Sequence, residues 1–225
     1  MIKVLLCCEG NLDKGKGVLI NDNYVNTEGV IQVLINRFSP VEDLKYVIKN
    51  RGDIKKVPVF GSKHSKHSTI SRKLAELARG QGCRCIAYHQ DEDNKGFANI
   101  YNKIQSYFSA ANEKSISCIA IVPKHMTESW LLSDAKAYEQ AFGKKPENPG
   151  LPSKPELTWG NKWTEKHPKK YISRVLSQYN EKVTPENYTK IAVNSDVNVI
   201  RSRCPKSFGQ FYSDMQSFIP KDSTP

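Results

Sequence analysis

The chain has 225 residues, 38% of them hydrophobic and 25% charged, with a formal net charge of +11. That length buries a full core in one domain, or in one domain with an appendage, and this balance does not fit an intrinsically disordered chain. The longest apolar stretches, Val4–Cys8 and Cys118–Val122, fall far short of the roughly 20 residues of a bilayer span, and the start lacks the basic opening and cleavage site of a signal peptide. Cys7, Cys8, Cys83, Cys85, Cys118 and Cys204 mostly sit in apolar runs, with no CxxC pair. The expectation is reduced thiols in a cytoplasmic protein, neither secreted nor membrane-bound.

Taken in chain order, strand patterns cover Lys3–Cys8, Lys55–Phe60, Arg84–His89 and Ser117–Val122. Helical periodicity covers Gly29–Phe38, Thr69–Arg79, Phe97–Ala111 and Glu128–Phe142. Strands alternating with helices of this length predict an α/β fold, a mainly parallel sheet flanked by helices. Four prolines and three glycines crowd residues 143–165, which show no periodicity, and helical patterns resume at Lys169–Tyr179, Pro185–Val193 and Pro205–Phe218. The organisation expected is an α/β core over residues 1–142, then an irregular basic segment and α-helical extension over 143–225 that packs on it.

The charge is concentrated. Residues 51–80 carry eight Lys/Arg against two acids, residues 144–174 carry eight against three, and the remainder is neutral. Two basic segments suit a polyanion, most simply nucleic acid; two solvated faces are the plain alternative. In the first segment, Lys63 and Lys66 flank His64 and His67 in a loop suited to a phosphate backbone or merely to water. In the second, Trp159, Trp163 and Tyr171 alternate with Lys162, Lys166, Lys169 and Lys170. Aromatics among lysines stack bases while the cations follow phosphates, or form the apolar underside of a flap. Neither His64/His67 nor Cys83/Cys85 has a second pair to complete a zinc site.

In a parallel sheet the functional crevice lies at the carboxyl ends of the strands. Three acidic spots follow strands there: Glu9, the run Asp91-Glu92-Asp93, and Glu128 at a helix start. In an extended segment Asp91 and Asp93 leave on the same side. Carboxylates from neighbouring strand ends form a hard oxygen cage for Mg²⁺ or Mn²⁺, which activates water for attack on a phosphate. An acid after a strand also simply faces water or favours a helix dipole. The stretch Gly10–Gly17 fits the phosphate-cradling G-x-x-x-x-G-K, but it lacks the following Ser/Thr and the helix that should supply amide donors.

Cys8-Glu9-Gly10, Thr27-Glu28, Asp91-Glu92-Asp93 and the run Glu128-Ser129-Trp130-Leu131-Leu132-Ser133-Asp134, in this order, resemble the Toprim fold of topoisomerases, primases and overcoming-lysogenization-defect-type nucleases. Together with Pro152-Ser153-Lys154-Pro155-Glu156 and the run Arg201–Phe208, they look like an uncharacterised bacterial Toprim-like family, often paired with an ABC-type ATPase in phage defence. The resemblance covers most of the chain. It implies a Rossmann-like sheet and a Mg²⁺-dependent nuclease acting on DNA or RNA. Glu9 would be general acid/base or metal ligand, Asp91 and Asp93 metal ligands, and Glu128 a further acidic position. Either Asp13 or Glu28 takes the family's next acidic place, across the insertion Asn11–Asn26. A non-catalytic partner that binds nucleic acid or the ATPase is the alternative.

Overall fold

Val4, Leu5, Leu6, Cys7 and Cys8 are all fully buried, because β1 (Ile2–Cys8) lies inside a parallel sheet covered on both faces. Such strands read as continuous apolar runs instead of alternating ones. The computed structural model describes residues 2–9, 16–20, 23–38, 44–58, 66–113, 115–143, 150–158 and 164–218.

After β1 come the hairpin β2 (Lys16–Ile20) and β3 (Asn23–Thr27), then α1 (Val30–Asn36), β4 (Leu44–Asn50), α2 (Arg51–Lys56) and α3 (Lys66–Gly80). Next are β5 (Cys85–His89), α4 (Phe97–Ser106), α5 (Ser109–Asn112), β6 (Ser117–Ile121), α6 (Glu128–Leu131) and α7 (Ala135–Phe142). A 3₁₀ turn at Pro155–Leu157 leads to α8 (Pro168–Gln178), α9 (Pro185–Asn194), α10 (Val197–Arg203) and α11 (Ser207–Phe218). The main sheet is all parallel, in the order β4-β1-β5-β6. This is the expected α/β class, with a Rossmann-like sheet flanked by helices and further helices at the C-terminal end.

Residues of β1, β5 and β6 alternate between two cores. Val4, Leu6, Cys8, Cys85, Ala87, Ile119 and Ile121 face a core built with α1 and the C-terminal helices. Leu5, Cys7, Ile86, Tyr88, Ala120 and Val122 face a second one, built with Leu74, Ala78, Ile100 and Ile104 of α3 and α4. The C-terminal helices thus share the first core instead of forming one of their own. Trp130, wholly buried on α6, packs edge-on to Phe208 at 5.1 Å and stacks on Phe211 at 5.5 Å. Such ring pairs contribute about 0.5–1.5 kcal/mol each beyond their buried area. Arg37 Nη1 donates to the Val193 carbonyl, and Thr189 Oγ1 to the Glu28 carbonyl, fastening α9 over α1.

Several elements differ from the sequence expectation. Residues 55–56 of the expected strand Lys55–Phe60 end helix α2, while 59–60 lie outside the described residues. The Asn50 amide donates to Asp53 Oδ2 and starts that helix at Arg51, and Pro58 has no N–H for a central ladder. The strand of this region is β4, at the sheet's edge. The helix expected over Phe97–Ala111 breaks at Tyr107 and Phe108. The one over Glu128–Phe142 breaks before Asp134, whose side chain caps α7 by accepting from the Lys136 amide. Helix α10 was not expected. Lys16 belongs to a strand and not to a helix start, so the glycine–lysine run lacks the helix a nucleotide phosphate would need.

Candidate functional site

Strand order locates the crevice. The connection after β1 packs α1 on the first face and leads to β4; the connection after β5 packs α4 on the opposite face and leads to β6. The chain therefore diverges between β1 and β5, the switch point where α/β sheets open a crevice at their carboxyl ends. Cys7 pairs in register with Tyr88. Continuing that register sets Glu9 abreast of Gln90, one residue before Asp91.

Two loops meet at that edge. The Gln90 amide donates to the Ile121 carbonyl, Glu92 to Pro123 and Asp93 to His125, prolonging the β5–β6 ladder beyond the strands. Side chains close the same seam: the Thr127 amide donates to Asp91 Oδ1 at 3.1 Å and the His125 amide to Glu92 Oε2 at 2.9 Å. The Thr127 hydroxyl lies 3.1 Å from Nε2 of the fully buried His89. Asp93, Asn94 and His125 have positive φ (48°, 63° and 65°). Asp and Asn adopt this region readily in turns, so His125 is the one of the three whose backbone is costly to hold there.

Glu9 Oε1 accepts from Arg51 Nη1 at 2.6 Å, the two side chains being 36% and 28% exposed. Arg51 opens α2 directly after β4, and its positive charge lies close enough to the Tyr88 phenol to favour the ionised form of that phenol. Burial pushes that phenol up to about 12, against the lowering pull of Arg51, so it stays neutral at physiological pH. Asp93 lies in a turn, exposed, with Lys95 Nζ 3.5 Å away. The backbone is thus not extended through Asp93, and strand alternation does not set Asp91 and Asp93 on one side. Glu128, buried at the start of α6, accepts from the Tyr188 hydroxyl at 3.3 Å. The Glu28 carboxylate accepts from Asn36 Nδ2. Asp13 lies outside the described residues.

Among the described residues, no three His, Cys, Asp or Glu side chains converge as a metal cage. Mg²⁺ is commonly held by one or two carboxylates plus waters and substrate phosphates. The hard, partly exposed oxygens of Glu9 and Asp91 fit that demand, once the Glu9–Arg51 pair opens.

The expected nucleic-acid residues divide. Lys166, Lys169 and Lys170 are exposed around the start of α8. Lys63, Lys162, Trp159 and Trp163, and the side chain of Lys66, lie outside the described residues. Tyr171 is half-buried, donates to the Gly150 carbonyl and lies under the Arg174 guanidinium, which is the packed underside. Other cations come from neither basic segment: Lys95 and Lys124 lie on the two loops themselves, and Lys206 Nζ is 5.9 Å from the Phe97 ring at the start of α4.

Beside the crevice, the distinctive sequence runs meet one another. The buried Glu156 carboxylate accepts from the Lys206 and Ser207 amides and the Ser207 hydroxyl. Arg203 joins the carbonyls of Ser133 and Pro152. A family model described as a domain of unknown function, DUF4276, matches residues 80–216. The chain belongs to this DUF4276 family. The matched stretch runs from the end of α3 into α11, so it takes in both loops and all three runs, and it leaves Glu9 and Arg51 outside. No curated protein and no solved structure matches the chain.

Among the described residues, no helix is long and apolar enough to cross a membrane. All six cysteines are unbridged, and burial raises the thiols of Cys85, Cys118 and Cys204 to about 12.

Proposed function

We propose that the chain is a divalent-cation-dependent hydrolase of nucleic-acid phosphodiesters, with Glu9 and Asp91 as its principal carboxylates. The observation that carries this reading is the position of both acids at the switch point between β1 and β5, beside two loops hydrogen-bonded to each other. A bound Mg²⁺ or Mn²⁺ would polarise the phosphate and supply hydroxide for in-line attack. The Thr127 amide orients Asp91 by holding Oδ1. Lys95, Lys124 and Lys206 offset the repulsion between acids and phosphates, and Lys166, Lys169 and Lys170 hold a longer polyanion farther along. A role in bacterial phage defence beside an ABC-type ATPase belongs to this reading through the Toprim resemblance.

A second reading is a non-catalytic subunit that binds nucleic acid or such an ATPase. It is favoured by the engagement of Glu9 with Arg51 and of Asp91 with Thr127, which makes both acids structural. Incubation of the purified protein with DNA and RNA, with Mg²⁺ or Mn²⁺, separates the two. Cleavage that Asp91→Asn abolishes supports the hydrolase; binding without cleavage, alone and with the ATPase present, supports the subunit.

A further inference from the structure

We infer that Arg51 is a phosphate-receiving residue at the carboxyl edge of the sheet, held in reserve by Glu9 and released to a backbone phosphate of nucleic acid. The inference rests on the phosphodiester reading above and gives it a residue that the strand-end acids alone do not supply.

Arg51 begins α2 at the carboxyl edge, where β4 adjoins β1. Its hydrogen bond to Glu9 Oε1 holds the guanidinium across the ends of β4 and β1, on the side of Tyr88 in β5. Guanidinium carries five donors in a rigid fork that matches two phosphate oxygens at once. About a quarter of the Arg51 side chain stays open to solvent. A pair this exposed contributes about 1 kcal/mol or less, so exchanging the carboxylate for a phosphate costs little. The exchange also frees Glu9 for a cation at the moment the phosphate arrives. Substrate and metal sites would then assemble together.

The test needs no catalysis. A fluorescein-labelled single-stranded oligodeoxynucleotide is titrated with the full-length protein in EDTA at several salt concentrations. Arg51→Gln is expected to weaken binding about tenfold and to flatten the slope of log K against log salt by about 0.7, one phosphate contact. Glu9→Gln is expected to tighten binding in the wild-type background and to do so far less in the Arg51→Gln background, as coupled residues must. Arg51→Lys, which keeps the charge without the fork, should hold the slope and lose affinity; it carries the test if Arg51→Gln does not fold. An unchanged slope and affinity in Arg51→Gln, equal tightening by Glu9→Gln in both backgrounds, or Arg51→Lys binding as wild type overturns the inference. Arg51-dependent binding without any cleavage retires the hydrolase reading and keeps this one; cleavage indifferent to Arg51 does the reverse.

Discussion

The indole Nε1 of Trp130 donates to the hydroxyl of Ser207 over 2.8 Å, 77 residues away in sequence. That hydroxyl in turn donates to Glu156 Oε1, so one chain of hydrogen bonds ties the three most distinctive runs together. Cys204 lies between Ser133 and Ser129 in the same cluster. These contacts hold α10 and α11 against α6 and the turn at Pro155–Leu157.

Removing the Glu156 carboxylate leaves two amides and a hydroxyl without their acceptor in a buried site. At about 1–3 kcal/mol for each buried group stranded, Glu156→Ala should destabilise the protein by about 3 kcal/mol or more. Glu156→Gln, which keeps one acceptor oxygen, should cost less. Urea denaturation reads both as midpoint shifts at constant slope.

Asp91→Asn keeps the oxygen that the Thr127 amide requires but removes the charge that a cation requires. Stability should change by about 1 kcal/mol or less, oligonucleotide binding should hold or tighten, and metal-dependent cleavage should vanish. Asp91→Ala should lose stability as well, because the Thr127 amide then has no acceptor. A thermal melt of the two variants beside a cleavage assay reads the difference.

Histidine 125 titrates below its ordinary value, chiefly because it is buried; Glu92 opposes that shift, Lys124 adds to it, and the Glu156 backbone and charge oppose it. A histidine depressed in the fold binds its proton more readily when unfolded. Its contribution is complete above the unfolded value of 6.5 and is lost as pH falls from there through the lower folded value. Replacing His125 by Asn, a residue that tolerates the 65° φ, should flatten stability against pH below 6.5 relative to wild type. His167, also depressed by burial and by Lys169 and Lys170, should leave a residual slope in that variant.

Much of the fold was legible because burial on both faces writes β1, β5 and β6 as apolar runs. Strand β4 was not, since an edge strand with Lys45 and Ile48 exposed carries neither a run nor a clean alternation, and Val57-Pro58 imitates one. The strand-end rule found Glu9 and Asp91. It could not find Arg51, whose partnership spans 42 residues, nor the left-handed turn at Asp93 that defeats the alternation argument. Glu156 was visible within a distinctive run, though nothing local showed that it anchors α11.

Lys169 and Lys170, exposed in the first turn of α8, should contribute to affinity without touching chemistry. Replacing both by alanine should lower affinity for all sequences alike and flatten the salt dependence by about 0.7–0.9 per phosphate lost. Unchanged salt dependence in a binding titration would return them to a solvated face.

The most direct measurement is Mn²⁺ binding followed by electron paramagnetic resonance in the presence of a cleavage-resistant phosphorothioate oligonucleotide. If Glu9 and Asp91 share a cation at the β1–β5 switch point, the wild type binds Mn²⁺ and Glu9→Gln and Asp91→Asn each weaken it by about tenfold or more. Mn²⁺ affinity unaltered by both substitutions would contradict the site.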